Sequence, residues 1–148
     1  MSYQREYKRR IKAAVIGAGS HCYRNILPTM TYLPVELLAV CDVNMEAAAC
    51  TAKQYGCRAY GSAGEMFGSE PEIEAVFISV GAALHPSLIL ESLGWGRHVW
   101  VEKPICLRAG QIKDMIEKRG SRVVVAGLKK AFTPAAEKAR ELTASPEY

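Results

Sequence analysis

The chain has 148 residues, 49% of them hydrophobic and 23% charged, with a formal net charge of +4. That length is enough for one domain with a real core, and the composition excludes disordered and fibrous classes. No apolar run approaches the roughly 20 residues that cross a bilayer. Met1–Arg10 is polar and basic and lacks the apolar core of a signal peptide, so no membrane partner and a cytoplasmic location are expected. Cys22, Cys41, Cys50, Cys57 and Cys106 are odd in number and form no C-x-x-C. Reduced thiols fit this pattern better than a disulfide framework, and no metal site is expected. Arg5, Lys8, Arg9 and Arg10 against Glu6 supply +3 of the +4, in an N-terminal tail (residues 1–11) that reads as solvated. No basic stripe with interleaved aromatics follows, which argues against a nucleic-acid partner.

Ile11–Ile16 reads as a strand buried on both faces, because Ala13–Ile16 is unbroken apolar. Gly17 and Gly19 then allow a tight turn and a close backbone approach to a ligand. A helix follows with Ile26, Leu27, Met30 and Leu33 as its apolar stripe, kinked or restarted at Pro28 and stopped by Pro34. Val35–Cys41 is a second buried strand, and Asp42 closes it 25 positions after Gly17. Asn44 caps the next helix and Gly56 ends it. Arg58–Tyr60 is a short third strand. Ser62–Glu65 is a capping-box pattern opening a brief helix to Phe67. Ile73–Val80 is the fourth strand, with Gly81–Ala83 as its exit loop. A helix over Pro86–Leu93, a fifth strand over His98–Val101, a helix over Ala109–Lys118 and a sixth strand over Arg122–Ala126 complete the alternation. Thr133 and Pro134 start a last helix, to Leu142.

Alternating strands and helices predict an α/β fold: a doubly wound parallel sheet covered by helices on both faces. The expected division is a dinucleotide-binding domain over residues 12–127 and a linker helix over 128–148. In such a sheet, ligands lie beyond the carboxyl ends of the strands. Those ends carry Gly17–Cys22, Asp42, Val80–His85 and Glu102-Lys103-Pro104. The first is a βα turn of the dinucleotide-binding type, with pyrophosphate as its natural occupant at a helix N-terminus. Its pattern G-x-G-x-x-G/A ends here on Cys22. Each element taken singly has a plainer reading. The glycines suit a turn in any α/β protein, Asp42 suits a turn cap, His85 a half-buried structural histidine, and Lys103 a surface lysine paired with Glu102. Yet Pro104 sets the backbone of Lys103 in extended geometry, and the four ends converge on one edge.

AAVIGAGSHC, LLAVCDVN, EIEAVFISVGAALH and above all GRHVWVEKPICL resemble the N-terminal domain of the Gfo/Idh/MocA oxidoreductases, the glucose–fructose oxidoreductase and inositol dehydrogenase family. The resemblance covers Lys12 to about Leu142. It implies a Rossmann domain in which Gly17, Ala18, Gly19, Ser20 and His21 line the pyrophosphate and Asp42 holds the adenosine ribose. Val80, Gly81 and His85 would border the nicotinamide half, and Glu102 and Lys103 would flank its ring. It implies further that Lys103 is the catalytic residue, hydrogen-bonding the reacting hydroxyl of a sugar or cyclic polyol, and that the Lys-Pro bond is often cis. NAD is favoured over NADP, because Asp42 repels a 2′-phosphate and Val43, Asn44 and Met45 follow it; Arg24 and Lys53 are the nearest cations in sequence.

The chain also departs from the family's pattern. The usual T-P-N at the exit of the fourth strand is Val80-Gly81-Ala82, and Lys129 and Lys130 stand where an arginine pair is common. The family's second domain, which supplies the substrate pocket, would begin where this chain stops. A piece of a longer oxidoreductase, inactive alone, is therefore expected; its oligomeric state stays open between a monomer, a homo-oligomer and self-association through an apolar patch around Phe132. Two other classes share parts of the pattern: an S-adenosylmethionine-dependent methyltransferase-like domain, and a non-catalytic nucleotide-binding module.

Overall fold

A computed structural model describes residues 6–144. Its centre is a six-stranded sheet in the order β3-β2-β1-β4-β5-β6, every neighbouring pair parallel. The strands are β1 (Ile11–Ile16), β2 (Val35–Cys41), β3 (Arg58–Tyr60), β4 (Ala75–Ile78), β5 (His98–Val101) and β6 (Val124–Ala126). The helices are α1 (Leu27–Met30, preceded by a π-helical turn over Cys22–Ile26), α2 (Met45–Tyr55), α3 (Ala63–Ser69), α4 (His85–Gly94), α5 (Gly110–Arg119) and α6 (Pro134–Thr143). The order reverses between β1 and β4, and that switch point opens a crevice at the carboxyl ends of the strands.

The apolar runs are continuous because both faces of the sheet are covered. Ala14, Ile16, Ala39, Cys41, Val76, Ile78, Val99 and Val101 face one layer with Met66, Phe67, Ile89, Leu93 and Met115. The alternate positions Val15 and Val40 face the other with Cys22, Ile26, Leu27 and Met30, and Phe77 and Trp100 pack against that layer. This period of two is what a strand imposes.

Three elements differ from the sequence-based expectation. The first helix restarts at Pro28 as expected, but it does not continue to Leu33. Pro28 has no N–H to give, so the ladder widens ahead of it into a π turn closed by Leu27 N–H on Cys22 O, and α1 ends at Met30. Leu33 falls outside the helix and is exposed. β4 is shorter than Ile73–Val80, although its ladder runs from Glu74 N–H on Lys12 O to Ser79 N–H on Ile16 O. β6 starts at Val124 because the Val123 N–H goes to the His98 Nδ1 (3.0 Å) instead of a backbone carbonyl.

The N-terminal segment is tied down where the sequence read as a solvated tail. The Tyr7 hydroxyl donates to Tyr32 O (2.7 Å) and Arg9 pairs with Glu74; Arg5 lies outside the described residues. At the other end, α6 is capped by Thr133, whose hydroxyl accepts from Ala136 N–H, and it buries no side chain. Phe132, just before it, is 65% exposed. The last four residues of the expected linker, 145–148, lie outside the described ones. No helix among the described residues is long and apolar enough to cross a membrane, and no cluster of three metal-ligating side chains occurs among them.

Candidate cofactor site

Gly17 turns the chain at the end of β1 with φ +100°, a conformation that only glycine adopts freely. A Cβ there would lie 2.2 Å from the Ser79 carbonyl oxygen, so β1 and β4 approach too closely for any side chain. Gly19 is the opposite case. A Cβ at Gly19 would meet nothing within 4 Å; it would project into the open crevice. The helix beginning at Ser20 points its first N–H groups, which have no carbonyl one turn back, toward the same space. One glycine is demanded by the fold and the other keeps room for a ligand.

Asp42 sits at the end of β2, beside that turn. Its Oδ2 accepts the Ala18 N–H (2.7 Å) and its Oδ1 the Asn44 N–H (2.8 Å). The carboxylate is thereby fixed with a second lone pair on each oxygen still to offer. Asn44 in turn caps α2 through the N–H groups of Glu46 and Ala47. A cavity of about 540 Å³ runs from Asp42 to β5, lined by Gly17, Gly19, Ser20, His21, Val80, Gly81, Glu102 and Lys103 among others. A second, of about 440 Å³, continues past Asp42 toward the turn before α3.

Nine of the residues expected at the site therefore line one cavity. Ala18 contributes its backbone N–H to Asp42 and does not line the cavity. His85 does not line it either. It is 1% exposed, its Nδ1 lies 2.7 Å from Pro104 O and its Nε2 3.1 Å from Val80 O. It braces the exit of β4 against the segment after β5 and does not border the cleft, because its ring follows α4 inward. His21 lines the cavity beside Gly19 and Ser20, with Nε2 2.7 Å from Glu102 Oε1. Lys103 is exposed and precedes a cis peptide bond to Pro104. Arg24 and Lys53 line neither cavity. Sequence reasoning missed Val43, Ser79 and Leu84 in the first cavity, and Ser62, Ser87, Leu88 and Glu91 in the second. The Gly61–Gly64 turn was the available signal for the second, but it read only as a helix start.

Cys22 and Cys41 pack directly beneath the turn. Burial, with the Asp42 charge as the lesser cause, pushes the Cys22 thiol up to about 12 and Cys41 up to about 11. Both remain protonated and serve as small apolar side chains.

The fit to a dinucleotide is good: space at Gly19, a fixed carboxylate at Asp42 and an amine at Lys103 lie along one continuous crevice at the switch point. Residues 11–130 match the family model for the oxidoreductase family with an NAD-binding Rossmann fold. The chain belongs to the Gfo/Idh/MocA oxidoreductases. It is the NAD(P)-binding Rossmann domain of that family, and the match leaves no ground for a methyltransferase. Among curated Gfo/Idh/MocA relatives, dTDP-3,4-didehydro-2,6-dideoxy-alpha-D-glucose 3-reductase from Streptomyces violaceoruber is 29% identical over 78% of this chain and 34% of its own length. Inositol 2-dehydrogenase from Pseudomonas savastanoi pv. phaseolicola is 27% identical over 82% of this chain and 38% of its own. The chain thus spans little more than a third of either. Solved structures confirm the fold. A 3-ketoreductase from Actinomadura kijaniata in complex with NADP and TDP-benzene superposes with a TM-score of 0.81 at 20% identity, over 91% of this chain and 42% of that one. The WlbA dehydrogenase from Bordetella pertussis, in complex with NADH and UDP-GlcNAcA, gives 0.79 at 22% over the same shares, 91% and 42%.

Proposed function

We propose that this chain binds NAD in preference to NADP and forms the cofactor half of an enzyme that oxidises or reduces a CH–OH group of a sugar or cyclic polyol. The observation that carries the reading is the Asp42 carboxylate, fixed by two backbone N–H groups at the middle of the crevice. A diol can donate two hydrogen bonds to it, whereas a 2′-phosphate would place like charge against it. Val43, Asn44 and Met45 offer no cation to offset that repulsion.

The nicotinamide, when bound, supplies or accepts a hydride at C4. The chain's own part is position and proton movement. The diphosphate would be received on the N–H groups of Gly19 and Ser20, since those of Gly17 and Ala18 are bonded to Cys41 O and Asp42 Oδ2. Val80 and Gly81 form the wall from β4. Lys103 stands at the end of β5, where its ammonium can donate a hydrogen bond to the substrate oxygen. In oxidation Lys103 would have to be the neutral amine, its lone pair accepting the hydroxyl proton; in reduction its ammonium would give that proton to the carbonyl oxygen. The sugar or polyol class rests on the activities named for the two curated relatives. Because the chain spans little more than a third of their length, substrate turnover is assigned to a longer protein.

The test is a calorimetric titration of the chain with NADH and NADPH, repeated on Asp42→Ala and Lys103→Ala. NADH is expected to bind more tightly, and Asp42→Ala to cost about tenfold or more in NADH affinity, the scale of a hydrogen bond to a charged group. Equal affinities that are indifferent to Asp42 would overturn the reading.

A further inference from the structure

His21 and Glu102 are joined across the crevice although 81 positions separate them in the chain. His21 lies in the first turn of the helix after the glycines, and Glu102 directly follows β5. The Asn25 side-chain amide, four residues on, lies 3.3 Å from His21 Nδ1 and 3.3 Å from the His21 carbonyl oxygen. An amide NH₂ group only donates, so this network assigns Nδ1 as an acceptor and leaves the ring proton on Nε2. Nε2–H then donates to Glu102 Oε1 at 2.7 Å. The other carboxylate oxygen, Oε2, accepts the Lys103 N–H at 3.1 Å. Glu102 is therefore held from two sides, and its side chain is 17% exposed while that of His21 is 53% exposed.

The same two side chains face a second space. Behind them, on the α1 side of the sheet, lies an apolar cavity of about 570 Å³ walled by Ile26, Met30, Leu33, Phe77, Trp100 and Phe132. His21 and Glu102 line both this cavity and the crevice that holds Lys103.

We infer that His21 is a positioning residue for the nicotinamide end of the site, acting through Glu102, and not a ligand of the diphosphate. This deepens the dinucleotide reading above and rests on it. The Nε2–H bond keeps the Glu102 carboxylate across the gap between β1 and β5. There it closes the crevice against the apolar cavity and orders the backbone entering Lys103. With the bond gone, Glu102 can swing, and the far end of the crevice opens into a space where a nicotinamide ring has no defined seat. The adenosine and diphosphate end, built on Gly17, Gly19 and Asp42, does not depend on the bond.

That asymmetry supplies the test. NADH and ADP-ribose share everything except the nicotinamide. Their affinities for the chain are to be measured by calorimetry on the parent, His21→Leu, His21→Gln, Glu102→Ala and the His21→Leu/Glu102→Ala double variant, with thermal unfolding as a check that each folds. His21→Leu is expected to weaken NADH about fivefold, less than the full worth of a hydrogen bond to a charged group because His21 acts only through Glu102, and to leave ADP-ribose unchanged. His21→Gln, whose amide N–H reaches about as far as Nε2–H, is expected to restore NADH affinity. In the Glu102→Ala background, His21→Leu is expected to add nothing, because the residue through which it acts is already gone. A parallel loss of NADH and ADP-ribose would make His21 a diphosphate ligand and overturn the inference. So would no change in either, or a His21→Leu effect that persists without Glu102. In all three outcomes the parent still binds NADH, and the dinucleotide reading stands. Failure of the folded parent to bind either ligand at millimolar concentration would overturn both.

Discussion

Asp42 Oδ2 accepts the backbone N–H of Ala18 at 2.7 Å, so the acid at the end of β2 shapes the glycine turn as well as facing the ligand. Two consequences of Asp42→Ala follow. The Ala18 and Asn44 N–H groups lose their acceptor, which costs about 1–3 kcal/mol of stability in a partly buried setting. The charge that disfavours a 2′-phosphate also disappears, so the ratio of NADPH to NADH affinity should rise. Urea unfolding checks the first and paired titrations the second. Asp42→Asn is the informative companion, since its side-chain oxygen can keep one backbone bond while the charge is gone.

The two glycines of the turn should separate stability from binding. Gly17→Ala places a methyl 2.2 Å from the Ser79 carbonyl oxygen at φ +100°, and neither strand can withdraw without breaking the β1–β4 ladder. A loss of more than about 3 kcal/mol, or failure to fold, is expected. Gly19→Ala meets nothing within 4 Å, so its unfolding midpoint should stay close to the parent while dinucleotide affinity falls, because the methyl occupies the space a diphosphate needs. Thermal unfolding and NADH titration on the same two proteins decide it. An unfolding midpoint that drops equally in both would contradict the assignment.

The strands were legible because most hold a short apolar run that ends at a glycine or an acid, as Ala13–Ile16 does before Gly17 and Leu37–Cys41 before Asp42, whereas the order β3-β2-β1-β4-β5-β6 is seen only in the fold. The glycine turn, Asp42 and Glu102-Lys103 were legible because strand ends in a parallel sheet point one way. Pro28 signalled a break, but the π turn was not readable, since it depends on how the ladder redistributes around a missing N–H. His85 was legible both as a site residue and as a structural histidine, but what it braces was not. Its partners are the backbone oxygens of Val80 and Pro104, and no residue type in the sequence announces a carbonyl. His21 has a side-chain partner, but 81 positions away, a pairing visible only once β1 and β5 are placed.

His85→Phe tests that brace. The ring volume is kept, and the carbonyl oxygens of Val80 and Pro104, one of which a neutral imidazole can serve with its single N–H, lose that donor. Destabilisation of about 1–3 kcal/mol is expected, together with weaker NADH binding, since Val80 and the segment after Lys103 are no longer tied to each other. Unfolding in urea and calorimetric titration measure the two effects. If NADH affinity were unchanged in a folded variant, His85 would serve the core alone.

The last expectation concerns alkali. Burial raises the thiols of Cys22 to about 12 and of Cys41 and Cys57 to about 11, from an ordinary value of 9.0. Above pH 9 the unfolded chain therefore sheds thiol protons that the folded chain keeps. Folding then binds protons, and stability falls as pH rises, by up to about 1.4 kcal/mol per pH unit for each such thiol. Below pH 9 these groups contribute no slope. Tyr60 and Lys12, also raised, by their bonds to Glu70 and Glu72, act in the same direction. The thiol share has to be isolated by substitution. Cys22→Ala removes the most strongly shifted group from a fully buried position, so its own stability should drop at neutral pH through the lost packing. Its decline between pH 9 and 11 should nevertheless be shallower than that of the parent. Urea midpoints at pH 7.5, 9, 10 and 11 for the two proteins give both slopes. Parallel slopes would show that the Cys22 thiol ionises as readily in the folded chain as in the unfolded one, and that Cys22 is more open to solvent than its place beneath the glycine turn implies.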